Sequence, residues 1–152
     1  MNFGAYFSNL KSEKTSVDSF AVGINNCIED GTIDDASIFF DLSGSSLPEL
    51  KCGTFNSTDL CHFKGSLFFV QTSLIKKIES TVNDIKVYLG YGYGDKDVLN
   101  ILYLISACKD VKVICRTKED SDYFYRISGQ KSIGLGQTPE EIIHLMKETS
   151  HE

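Results

Sequence analysis

Short apolar runs at residues 3–7, 36–40, 66–70, 85–89 and 111–115 each give way to a polar tip and then, in most cases, to an amphipathic stretch. The run Ser66-Leu67-Phe68-Phe69-Val70 carries almost no polar side chain. A strand of that kind must be covered on both faces, which is the condition of a parallel sheet sandwiched between helices. The stretches between the runs supply the cover. Phe20, Ala21, Ile24 and Ile28 recur at helical spacing, as do Leu74, Ile75 and Ile78, then Val98, Leu99, Leu102 and Ile105, and finally Ile142, Ile143, Leu145 and Met146. One strand and its crossover helix take roughly thirty residues, close to the spacing here. With a short last strand at 131–135, the pattern predicts an α/β fold: a single three-layer domain over residues 1–147, a mainly parallel sheet of about six strands, and a loose tail at 148–152.

Two helix boundaries are explicit. Gly129 follows the pattern at 119–127 as a stop, and Thr138-Pro139-Glu140-Glu141 joins a cap, a proline at the first helical position and an early glutamate. Residues 47–64 have no sustained period and read as a packed connection. Thr72 or Ser73 is placed to cap the helix that follows the 66–70 strand.

Composition narrows the function classes. The formal net charge is −6, and no basic patch stands out, so binding of duplex nucleic acid through charge is not expected as the primary role. No apolar run is long enough to span a bilayer and the first residues lack a signal-peptide pattern, so a cytoplasmic protein is expected. The five cysteines, Cys27, Cys52, Cys61, Cys108 and Cys115, form no C-x-x-C pair. They are expected to be free thiols, with no metal site and no cofactor.

Right-handed crossovers bring the carboxyl ends of parallel strands to one edge, where ligands of such sheets bind. The candidate ligand-binding residues there are Ser43 and Gly44 after the second run, Thr72 after the third, the loop Gly90-Tyr91-Gly92-Tyr93-Gly94, and Arg116 with Thr117. Glycine lets a backbone amide approach a phosphate or ribose, and tyrosine can stack on a base. The alternative is an ordinary turn with Asp95 as helix cap. The spacing is not the G-x-G-x-x-G dinucleotide fingerprint. Arginine occurs only twice against thirteen lysines, and a guanidinium at a strand tip suits a phosphate or carboxylate. An ion pair with Glu119 or Asp120 is the other reading. Asp41 and Asp95 are the candidate general bases by location. No nucleophile elbow, P-loop or H-E-x-x-H motif is present.

Taken together, Ile38-Phe39-Phe40-Asp41, the segment Cys52-Gly53-Thr54-Phe55-Asn56-Ser57-Thr58-Asp59-Leu60 followed by Phe63-Lys64-Gly65, and Val113-Ile114-Cys115-Arg116 resemble the small glycosyltransferase-like proteins of large tailed bacteriophages. The resemblance spans roughly residues 36 to 145. It implies a Rossmann-like domain, nucleotide or nucleotide-sugar binding, and, for a phage protein, the host cytoplasm. Enzymes of that type react in a cleft between two lobes, whereas this chain has residues for one. Catalysis would then need a partner chain or a homodimer. The alternative is a non-enzymatic phage protein that sequesters a nucleotide-derived host signal or binds a host protein.

Overall fold

The computed structural model describes residues 1–9, 14–42, 49–81, 84–93, 98–107 and 110–150. Seven strands form one sheet: β1 (Asn2–Asn9), β2 (Asp35–Leu42), β3 (Gly53–Asn56), β4 (Gly65–Phe69), β5 (Ile85–Tyr91), β6 (Lys112–Cys115) and β7 (Gly134–Leu135). Their spatial order is β3-β2-β1-β4-β5-β6-β7, and every neighbouring pair is parallel. The helices are α1 (Lys14–Glu29), α2 (Ile75–Glu79), α3 (Val98–Ala107), α4 (Lys118–Ser128) and α5 (Pro139–Ser150), with 3-10 turns at Ser57–His62 and Thr72–Leu74. This is a Rossmann-like three-layer α/β domain.

The core divides along the sheet as alternation requires. Phe3, Ala5, Phe7, Ile38, Phe68, Tyr88 and Ile114 pack on one face with Phe20 and Ile24 of α1 and Ile142, Ile143 and Met146 of α5. Tyr6, Phe39, Leu67, Phe69, Leu89, Tyr91, Val113 and Cys115 pack on the other, with Leu60, Phe63, Ile75, Ile78, Ile101 and Phe124. Leu67, Phe68 and Phe69 are all fully buried, so β4 is the covered central strand that its composition demands. Among the described residues no helix is long and apolar enough to cross a membrane. Cys27, Cys52, Cys61 and Cys115 are free thiols, and Cys108 lies outside the described residues.

Several boundaries differ from the sequence reading. The sheet has seven strands instead of six, because β3 lies within the stretch taken for a connection. It is a four-residue edge strand with Thr54, Phe55 and Asn56 exposed, so it carries no apolar run to announce it. The last strand shrinks to Gly134–Leu135. Thr72 and Ser73 do not cap α2: they lie within the 3-10 turn, whose N-cap is Gln71 and makes no side-chain cap bond. The tail expected to start at 148 is helical to Ser150. Lys112 Nζ donates to Thr149 O at 2.8 Å and Lys86 Nζ to Ser150 O, so two lysines from adjacent strands satisfy carbonyls that a helix end leaves open. Gly129 does end α4, in the left-handed conformation at φ 69°, with its N–H on Tyr125 O at 2.8 Å.

Candidate functional site

In a sheet of this order the chain runs outward from β1 through β2 to β3, then crosses back to β4 and runs outward the other way. The reversal lies between β1 and β4, and a crevice opens there at the carboxyl ends. Register shows where it opens. β1 pairs with β2 as far as Asn9 opposite Leu42, but with β4 only as far as Tyr6 opposite Phe69. Beyond that point β1 and β4 part. The N–H of Ser8 has lost its ladder partner and donates instead to Gln71 Oε1 at 3.0 Å.

Beside this opening, on the face covered by α2, is a cluster drawn from four separate elements. Asp41 near the end of β2 accepts from Tyr6 Oη of β1 at 2.8 and 3.0 Å on its two oxygens. Its Oδ1 also accepts from Ser57 Oγ, at the start of the 3-10 turn after β3, and from Lys77 Nζ of α2. Lys77 Nζ lies 3.0 Å from Ser57 Oγ and 5.7 Å from the centroid of the Tyr6 ring. Tyr6 and Ser57 are buried, while the Lys77 side chain is 49% and the Asp41 side chain 28% exposed. The cluster is thus anchored from below and open above.

The charges lean on one another. Burial pushes the Asp41 carboxyl up, but donation from Lys77, Ser57 and Tyr6 outweighs it and holds the group below the ordinary carboxylate value. Burial likewise works against the Lys77 ammonium, and Asp41 with Tyr6 reverses this and raises it. The Tyr6 hydroxyl is raised by burial and by the neighbouring carboxylate, despite Lys77. Asp41 is therefore an acceptor and a poor base. A carboxylate depressed in the folded state contributes stability that is present above its unfolded value of about 4 and lost as pH falls through the lower folded value. Asp41→Asn is expected to cost about 1–3 kcal/mol at pH 7, with the gap to the parent protein closing below about pH 4. Urea denaturation of both proteins from pH 7 to pH 3 checks this. A gap unchanged across that range would exclude a stabilising carboxylate.

The other strand-tip residues form a second group, held by ring packing and by hydrogen bonds of Tyr93 and Thr117. Gly90 and Tyr91, expected in a loop, are the last residues of β5, opposite Ile114 and Cys115. A methyl on Gly90 would come within 2.9 Å of Phe68 Cε2 and 3.0 Å of Tyr93 Cδ2, so that glycine makes room for two rings. Tyr91 is fully buried against Phe124, with centroids 5.6 Å apart. Both are buried. Tyr93 packs edge-on against Phe68 at 6.0 Å and donates its hydroxyl to Gly136 O, which ties the β5 loop to the chain after β7. Burial pushes that hydroxyl well above its usual range. Thr117 caps α4: Oγ1 accepts from Asp120 N at 3.1 Å and donates to Asp120 Oδ2 at 2.8 Å. Gly92 lies against that carboxylate.

Arg116 is exposed, and among the described residues no ion pair joins it to Glu119 or Asp120. Asp41 near the end of β2 and Arg116 directly after β6 belong to strands four spacings apart in the sheet, or about 19 Å. One phosphate does not bridge them. Thr72 is buried at the reversal, directly after Gln71. Ser43, Gly44, Gly94 and Asp95 lie outside the described residues. Tyr6, Ser57 and Lys77 are the residues of the cluster that sequence reasoning did not select. The available signal was Asp41 itself, because a carboxylate at the end of a buried strand needs donors from neighbouring elements. No family model, curated protein or solved structure matches this chain.

Proposed function

We propose that the chain is a nucleotide- or nucleotide-sugar-binding domain, with its ligand at the carboxyl edge between β1, β2 and β4. The observation that carries this reading is the coincidence of the strand-order reversal, the parting of β1 from β4 after Tyr6 and Phe69, and the Asp41–Lys77 cluster beside it. In domains of this order an acidic residue after the second strand receives ribose hydroxyls, and Asp41 stands near the end of β2. The partly exposed Lys77 supplies a mobile point charge for a phosphate.

The same geometry favours binding over transfer. A general base works best with a pKa near the operating pH, and Asp41 is moved the other way by three donors. The domain corresponds to one lobe of a glycosyltransferase-like protein, and it captures a nucleotide-derived molecule without turning it over unless a second lobe is supplied. A phage protein that sequesters a host nucleotide signal fits that behaviour.

A thermal-shift screen of nucleoside monophosphates, nucleoside diphosphates and UDP-glucose tests this, since a ligand of the folded state raises the melting temperature. At least one is expected to do so. In calorimetry Lys77→Met, which keeps the stem over Tyr6, is expected to weaken that ligand roughly tenfold or more, whereas Lys118→Ala leaves it unchanged. No shift from any compound, or equal affinity of Lys77→Met and the parent, would refute the assignment.

A further inference from the structure

On the same face of the sheet as the Asp41 cluster, but toward the amino ends of the strands, an open groove of about 540 Å³ runs beside the edge strand β3. Its floor is a chain of three rings. Phe63 meets Phe39 edge-on at 5.3 Å, and Phe39 meets Phe55 at 5.9 Å and 33°. Phe55 ends the chain and is 42% exposed. Its position is built in: a methyl on Gly53 would come within 2.6 Å of Phe55 Cε2, so the ring lies back along its own strand over a residue with no side chain. A large ring held in this way on an edge strand offers a stacking face.

The rim decides what would stack there. Asp59, His62 and Lys64 border the groove, one acid, one base and one imidazole, so with a neutral imidazole the formal charge is balanced. A polyanion gains little from it. Asn2 and Ser37 add neutral polar groups. The Asn2 amide nitrogen donates to Lys64 O at 2.6 Å, which leaves its amide oxygen as an acceptor. An alkyl chain would cover these groups and return no hydrogen bond, a cost that a ligand with polar edge atoms avoids. A volume of this size, an apolar floor and a few polar groups around it are the usual features of a small-molecule site.

We infer that this groove is a second binding site, which takes an uncharged planar heteroaromatic ring of the nucleobase type stacked on Phe55. It is independent of the phosphate-binding reading for the carboxyl edge, because no residue is shared and the ligand needs no phosphate. The probe is adenosine, titrated into the full chain while backbone amides are followed by ¹H–¹⁵N NMR. Saturable shifts at millimolar concentrations are expected at Gly53, Phe55, Asp59 and His62. Phe55→Leu, which keeps apolar bulk and removes the ring, and Phe55→Ala are each expected to weaken binding roughly fivefold or more. Both variants change a partly exposed edge residue, and their amide spectra report that they are folded. No shifts in the groove, shifts confined to the carboxyl edge, or unchanged affinity in both folded variants would overturn the inference.

Discussion

Phe68→Ala is expected to lower the unfolding free energy by about 3–5 kcal/mol. Phe68 stands at the middle of the sheet, opposite Ala5 on β1 and Tyr88 on β5. Its ring stacks on Phe20 of α1 at 5.1 Å and 9° and meets the edge of Tyr93 at 6.0 Å. The small neighbours Ala5 and Gly90 leave the space it fills. Truncation therefore empties a volume bounded by two strands, one helix and the β5 loop. Against a total of about 5–15 kcal/mol for an ordinary domain, the variant is close to the limit of folding. Urea denaturation followed by circular dichroism measures the loss, with Leu135→Ala, at a 47% exposed position, expected to change stability by no more than about 0.5 kcal/mol. A loss below about 1 kcal/mol for Phe68→Ala would mean that the core is not centred there.

Gly92→Ala is expected to cost about 2–4 kcal/mol, through two separable causes. Gly92 has φ 95°, a backbone region that a side chain disfavours. A methyl there would also lie within 2.6 Å of Asp120 Cγ, and the buried Asp120 carboxylate is part of the reciprocal cap with Thr117 at the start of α4. The chain must give up either the turn or the cap. A double-mutant cycle separates the causes, because in an Asp120→Ala background the steric part disappears and only the backbone part remains. Additive effects of the two substitutions on urea stability would show that Gly92 and Asp120 do not press on each other. Packing and turn geometry both call for a glycine at this position.

How far the molecule was legible in its sequence follows from what is local and what is not. Buried parallel strands announce themselves because both faces must be apolar, so β4 at Leu67-Phe68-Phe69 was unambiguous. The edge strand β3 has one wet side and no such run, and only its pairing with β2 reveals it. Gly90 was misassigned because glycine after an apolar run signals a turn, whereas here its missing side chain admits the rings of Phe68 and Tyr93. Asp41 was visible as a strand-end acid. Its partners at positions 6, 57 and 77 belong to three other elements, and no periodicity links them. Lys77 in particular has the pattern of a solvent-facing helix residue, and only the path of α2 past the end of β2 turns it toward Asp41. The site is a product of topology, and the identity of single residues carries little of it.

The measurement closest to the central claim is the location of a bound nucleotide. Titration of UDP or UDP-glucose into the ¹⁵N-labelled chain is expected to give saturable amide shifts at Ser8, Asp41, Ser57, Gln71 and Lys77, around the opening between β1 and β4, and to lose them in Lys77→Met. Saturable shifts gathered instead around Arg116 and Gly136 at the far side of the sheet, or no saturable shift at the β1–β4 opening, would contradict it.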